Sequence, residues 1–261
     1  SDHHHGANLM AREGVSLLAV LIDADNVPSR NAEAILREIT KFGEPALRRV
    51  YGDWSSAQLS GWKTQARDLG LVMHQQSANT TGKNASDIGL VIDAMDILHA
   101  GKFDAFVLVS SDSDFTRLAS RIREDGLEVI GIGEAKTPEA LRKVCNVFVL
   151  IENIVGEAEP ALRPAKSLMP AMPVAQEVPD EVQKKLAPSK AIPFIRAAMK
   201  KLDPDGEWYA LGSLKQAIVK DNPDFDERTY GCGKFSDLLQ KTGRFEVKME
   251  AGRAPVVRDV A

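Results

Sequence analysis

The chain has 261 residues, 44% of them hydrophobic and 27% charged, with a formal net charge of −4. That length can bury one large core or two smaller ones, and the net charge shows no global basic excess advertising a nucleic-acid partner. No apolar run approaches the ~18 residues of a membrane-spanning helix, and two cysteines, Cys145 and Cys232, are too few for a disulfide scaffold, which points to core residues in a reducing, cytoplasmic setting.

The leading SDHHHGANLM reads as a tag remnant, so residues 1–14 are set aside, and only His74 and His99 remain as histidines to consider. From Leu17 onward, apolar runs rich in β-branched residues predict strands at 17–22, 47–52, 71–74, 104–109, 127–133 and 147–151. Segments with helical periodicity lie between them, such as Ile35, Ile39 and Phe42, or Ile88, Val91, Ile92 and Met95. Strands apolar on both faces and separated by helices indicate a mainly parallel sheet covered on both sides, a three-layer α/β sandwich over residues 15–155. Six of the thirteen prolines then fall in 156–188, the texture of an extended linker. A smaller α+β domain follows over 189–261, with helices near 190–202, 211–220 and 233–242 and strand-like segments at 244–249 and 254–259; this order predicts a winged helix. Charge divides along the same boundary. Residues 190–261 hold 13 Lys+Arg against 11 Asp+Glu, and the rest of the chain holds 20 against 26.

Ligands of open parallel α/β sheets bind beyond the carboxyl ends of the strands. Three such places carry carboxylates. Asp23, Asp25 and Asn26 follow the first strand, Asp112 and Asp114 follow the fourth in "SSDSD", and Asp87 opens the helix that leads into that fourth strand. Asp at a helix N-cap is ordinary, so Asp87 or Asp114 alone reads as a cap. The coincidence of Asp23, Asp87 and Asp112 does not. Clustered carboxylates raise one another's pKa, and a divalent cation removes that cost. Oxygen ligands without histidine or cysteine point to Mg²⁺ or Mn²⁺, which activate water and stabilise a transferring phosphoryl group.

These residues carry a family resemblance. "LLAVLIDADN" and "GKNASDIGLVIDAMDILHAGKFDAFVLVSSDSDF", in that order, resemble the NYN domain of the PIN-like nuclease superfamily, in its bacterial LabA-like branch. The resemblance implies a metal-dependent ribonuclease whose acidic positions are Asp23, Asp87, Asp112 and Asp114, supported by Asn26 and Ser110. Asp93, on the same helix as Asp87, is a further supporting residue. Where the family often has Ser-Gly-Asp-Ser-Asp, this chain has Ser111 in the glycine's place.

For RNA contacts, Lys83 in the polar loop "SANTTGKNAS" offers a phosphate partner, and Trp54 at the end of the second strand offers a stacking face, although a core role is the commoner fate of tryptophan. In the second domain, "SLKQAI", "NPDFDERTYGCGKFSDLL" and "RFEV" resemble the OST-HTH, or LOTUS, domain, which is associated with RNA and in some members with protein partners; Lys215, Arg228 and Lys234 would supply its electrostatic footprint. Two other readings compete with a ribonuclease acting on single-stranded or structured RNA: a catalytically silent RNA-binding regulator, and a haloacid-dehalogenase-like phosphatase using the Asp23–Asp25 pair.

Overall fold

The computed structural model describes residues 15–76, 85–155 and 184–261, with the side chains of 85–87 excepted. The N-terminal domain alternates strand and helix in the order β1 (Leu17–Asp23), α1 (Ala32–Ile39), β2 (Glu44–Gly52), α2 (Ser60–Leu69), β3 (Val72–Gln75), α3 (Ala85–Ala100), β4 (Ala105–Val109), α4 (Thr116–Glu124), β5 (Glu128–Gly133), α5 (Glu139–Val144), β6 (Val147–Leu150) and α6 (Ile151–Val155). The six strands form one sheet in the order β3-β2-β1-β4-β5-β6. β1 pairs in parallel with β2 and with β4, and the β2–β3 and β4–β5 pairs are parallel too. Helices cover both faces of the sheet. The central strands are buried almost throughout, as their unbroken apolar runs require: Leu18 to Ile22 and Phe106 to Val107 have no exposed surface.

This order makes β1 and β4 neighbours at the centre although three helices and two strands separate them in sequence. The chain leaves β1 toward one edge of the sheet and returns to β4 to build the other. Their carboxyl ends therefore form the switch point at which open sheets bind ligands.

The expected periodicity of α3 selects the wrong face. Ile88 and Ile92 are 59% and 58% exposed, whereas Leu90, Ala94, Ile97 and Leu98 are buried. This helix is apolar nearly all round, so hydrophobic spacing does not single out an inner stripe. A polar contact fixes its seating instead. Asp93 on α3 accepts from Arg49 Nη1 at 2.5 Å and from the Tyr51 hydroxyl, both on β2. Burial would raise the Asp93 carboxyl, but Tyr51 and Arg49 hold it below its ordinary value. Burial and the same bond drive the Tyr51 hydroxyl far upward, so it stays protonated and donating.

The C-terminal domain holds α7 (Ile192–Leu202), β7 (Tyr209–Ala210), α8 (Leu211–Asp221), α9 (Phe235–Lys241), β8 (Phe245–Lys248) and β9 (Val256–Asp259). Its strands form an antiparallel sheet in the order β7-β9-β8. The helices and terminal hairpin match the winged-helix expectation; the two-residue β7 was too short to read from sequence. Phe225 lies at the centre of an aromatic cluster, with ring centroids 6.3 Å from Phe194, 5.9 Å from Tyr230 and 6.2 Å from Phe235. Cys145 and Cys232 are buried free thiols, and burial pushes the Cys145 thiol up to about 12. Among the described residues no helix is long and apolar enough to cross a membrane.

Replacing Asp93 with Ala strands a half-buried guanidinium and a buried phenol, a loss of about 1–3 kcal/mol. Urea unfolding checks this, and Tyr51→Phe should cost less in the Asp93→Ala background than in the wild type, because both report the same bond.

Candidate functional site

Asp23 is the last residue of β1, and it is 2% exposed. It pairs in register with Tyr51, so its side chain shares the sheet face that α3 covers through Asp93. Ile22 pairs with Val109, which puts Ser110 beside Asp23 one residue beyond the end of β4. The Ser110 hydroxyl donates to Asp23 Oδ2 at 2.9 Å, and Asn26 Nδ2 donates to the same oxygen at 2.5 Å. The other carboxylate oxygen, Oδ1, receives a long bond of 3.3 Å from the Asp25 N–H. Ser110 Oγ also accepts from the Asp112 N–H at 3.1 Å. One hydroxyl thus links the ends of β1 and β4.

Asp112 in turn accepts from the Asp114 N–H at 2.9 Å and caps the short 3₁₀ turn Ser113–Phe115 that precedes α4. The cap is Asp112, not Asp114 as the sequence suggests, and the Asp114 N–H is consumed by that neighbouring carboxylate. Asp114 and Asp25 are exposed, and Asp112 is half-buried. Ser111, where the family's glycine often stands, uses its hydroxyl to accept from the Glu134 N–H at 2.8 Å, tying the β4 loop to the end of β5. Gly133 permits this approach: a Cβ there would lie 2.7 Å from the Ser110 carbonyl oxygen.

Burial pushes the Asp23 carboxyl from 3.8 up to about 6, with a smaller push from Asp25, against the downward pull of Asn26 and Ser110. A desolvated carboxylate held by neutral donors gains most from a nearby cation. The candidate ligands at this edge are all oxygen, which fits Mg²⁺ or Mn²⁺ and not zinc. Among the described residues, no three His, Cys, Asp or Glu side chains stand together as a metal cluster. The Asp87 side chain lies outside the described residues, though its backbone is in the first turn of α3, and α3 reaches the Ser113–Phe115 turn.

Asp93 is engaged by Arg49 and by Tyr51, the residue that pairs with Asp23 on the same sheet face. Lys83 lies outside the described residues. Trp54 is half-buried, with Nε1 donating to the His74 carbonyl at 3.0 Å. Of the three cations expected to contact RNA from the C-terminal domain, Lys215 and Arg228 are committed. Lys215 Nζ lies 2.7 and 2.8 Å from the Glu227 carboxylate, and Arg228 grips Asp226 through Nε at 3.1 Å and Nη2 at 2.8 Å. Lys234, just before α9, is exposed. Sequence reasoning also passed over a cleft of about 330 Å³ beside Asn26, walled by the β1–α1 loop, the start of α2 and Glu134 with Lys136 beyond β5. Its walls come from three separated segments, and no local pattern joins them.

A carboxylate edge at the switch point of a six-stranded, mainly parallel sheet is the arrangement of a PIN-like domain. The chain belongs to the NYN domain family, whose profile matches residues 17–152, and the OST-HTH/LOTUS domain follows at 185–257. A crystal structure of a protein of unknown function from Vibrio parahaemolyticus is 22% identical, covering 54% of this chain and 96% of that one with a TM-score of 0.46. A solution structure of an uncharacterised protein from Nitrosomonas europaea is 31% identical over 38% of this chain and 93% of that one, with a TM-score of 0.25. No curated protein matches the chain.

The Asp23 shift fixes a pH dependence. With its folded value near 6 and its ordinary value at 3.8, the folded state holds a proton that the unfolded state has released. The Asp23 contribution to stability is therefore full below about pH 4 and is lost as pH rises through 6, by about 3 kcal/mol at most. In EDTA, Asp23→Asn should unfold at higher urea than wild type at pH 7.5 and at nearly the same urea at pH 4, and Mg²⁺ should close the gap at pH 7.5.

Proposed function

We propose that the N-terminal domain is a Mg²⁺- or Mn²⁺-dependent ribonuclease and that the C-terminal domain recruits its RNA. The observation that carries this reading is the hydrogen-bonded file Asn26–Asp23–Ser110–Asp112 at the switch point of a NYN sheet. Asp23, Asp112 and Asp87 are the residues that would hold the cation, with Asp114 as a further ligand or a group that orients water. When bound, the cation supplies a water of lowered pKa and neutralises charge on the phosphoryl group.

The protein's own contribution is positional. Asn26 and Ser110 occupy Asp23 Oδ2, which leaves Oδ1, met by the long Asp25 N–H bond, to face a ligand. Asp112 accepts the Asp114 N–H on Oδ1, so Oδ2 would be the oxygen it turns to a cation. Cleavage by water in line with the leaving 3′ oxygen gives 5′-phosphate and 3′-hydroxyl ends. The family match of the C-terminal domain supports RNA as the polymer, and exposed Lys234 is better placed than Lys215 or Arg228 to meet phosphate.

End-labelled single-stranded RNA should be cut in Mn²⁺ and left whole in EDTA. Asp112→Asn should lose more than the roughly 10–100-fold that is the cost of removing a group that merely orients a metal ligand. RNA that stays intact in Mn²⁺ yet shifts on a gel would make the chain a catalytically silent binding protein. Separately, Lys234→Ala should weaken RNA binding and reduce its salt slope by about one, while Lys215→Ala should lower the melting temperature with little change in that slope.

A further inference from the structure

We infer that the cleft beside the carboxylate edge is a nucleoside subsite, taking the base and ribose of the nucleotide next to the scissile phosphodiester. Its orientation toward a phosphodiester rests on the nuclease reading; its preference for a nucleoside does not. The location comes first. Asn26, which donates to Asp23, also lines the cleft, so an occupant lies one side chain away from the carboxylate file.

Size and chemistry then select the ligand. A cleft of about 330 Å³ is at the low end of the ~300–1,000 Å³ typical of small-molecule sites, room for one nucleoside and not for a stacked run. Ala24, Val27 and Trp62 form an apolar floor, each no more than 2% exposed, and the Trp62 indole N–H is already used on the Val27 carbonyl at 3.1 Å. The rim carries the Asn26 and Gln58 amides and the Ser29 hydroxyl. Amides present a donor and an acceptor together, which suits the edge of a base, and a hydroxyl suits a ribose.

Charge decides which portion of a nucleotide enters. Among the residues lining the cleft, the one cation, Lys136, already holds its Nζ 3.0 Å from the Glu134 carboxylate. A phosphate would find that cation taken, so the neutral nucleoside goes in and the phosphate stays at the carboxylate edge, where a divalent cation would meet it. The walls are also built close. At Gly61, in the first turn of α2, a Cβ would lie 2.3 Å from Ser29 Oγ, so glycine lets that turn close against the β1–α1 loop.

The test is an NMR titration of the wild-type chain in Mg²⁺ with adenosine 5′-monophosphate, uridine 5′-monophosphate and ribose 5-phosphate. Both nucleotides should move the side-chain amides of Asn26 and Gln58 and the Trp62 indole N–H; the base-free sugar phosphate should not. Gln58→Trp changes an exposed residue, fills the cleft and removes the amide, and it should weaken nucleotide binding about 10-fold, the scale of one or two lost hydrogen bonds. In RNA cleavage the same variant should raise KM by a similar factor, a larger effect than on hydrolysis of bis(p-nitrophenyl) phosphate, which carries no nucleoside. Equal shifts from ribose 5-phosphate, or no shifts from either nucleotide, would overturn the subsite. Base-dependent shifts in a protein that hydrolyses neither substrate would keep the subsite and overturn the nuclease.

Discussion

Desolvation of Asp23 is the constraint on which the N-terminal domain's functional edge depends, because an ionised carboxylate buried between two central strands must find donors or a cation. The sheet order creates the problem and supplies some of its solution. β1 and β4 are adjacent, and the strands that follow each of them build opposite edges of the sheet, which puts their carboxyl ends at the switch point. The polar residues there are local: Asn26 from the loop after β1, and Ser110 at the head of the loop after β4. Both are neutral donors, so they orient the carboxylate without cancelling its charge, and its proton affinity stays high. On the proposed reading, a divalent cation would supply the charge that these neutral donors leave uncancelled.

The strands were legible because a two-sided buried strand must be apolar throughout, and the polar break after each such run marks the sheet edge. Hence Asp23, Ser110 and Asp112 could be grouped before any coordinates. What sequence withheld depended on partners distant in the chain. Asp93 looked like a companion of Asp87 on one helix, yet its fate is set by Arg49 and Tyr51, 44 and 42 residues away. The buried face of α3 was hidden for a different reason: with apolar residues on every side, the pattern has no polar half to exclude. Ser111 read as a departure from the family's glycine, and only the meeting of two loops shows its hydroxyl serving as a tie.

In the C-terminal domain, too, distant or turn-built pairings decide what a charge can do. Counting lysines and arginines suggested a basic footprint, but a cation that the fold sets beside a carboxylate is spent before any partner arrives. Arg228 donates to Asp226 through both Nε and Nη2, and its side chain is 14% exposed. Bidentate geometry of this kind fixes the Asn222 to Tyr230 segment, which carries Phe225 into the aromatic cluster, and is structural by position. The surviving surface charge is therefore smaller than composition implies.

The bond between Asp93 and β2 has a mechanical meaning as well. Asp87 lies six residues before Asp93 on one continuous helix, about 9 Å along its axis. The helix is a lever whose fulcrum is the Arg49–Tyr51 clamp, and a tilt of about 10° at that point carries the far end of the lever through about 1.5 Å. Displacements of that size are enough to cost orders of magnitude in a positioned reaction. Were Asp87 to act as proposed, a change at Asp93 would displace it without altering its chemistry, and amide hydrogen exchange along α3 would reveal the loosened lever.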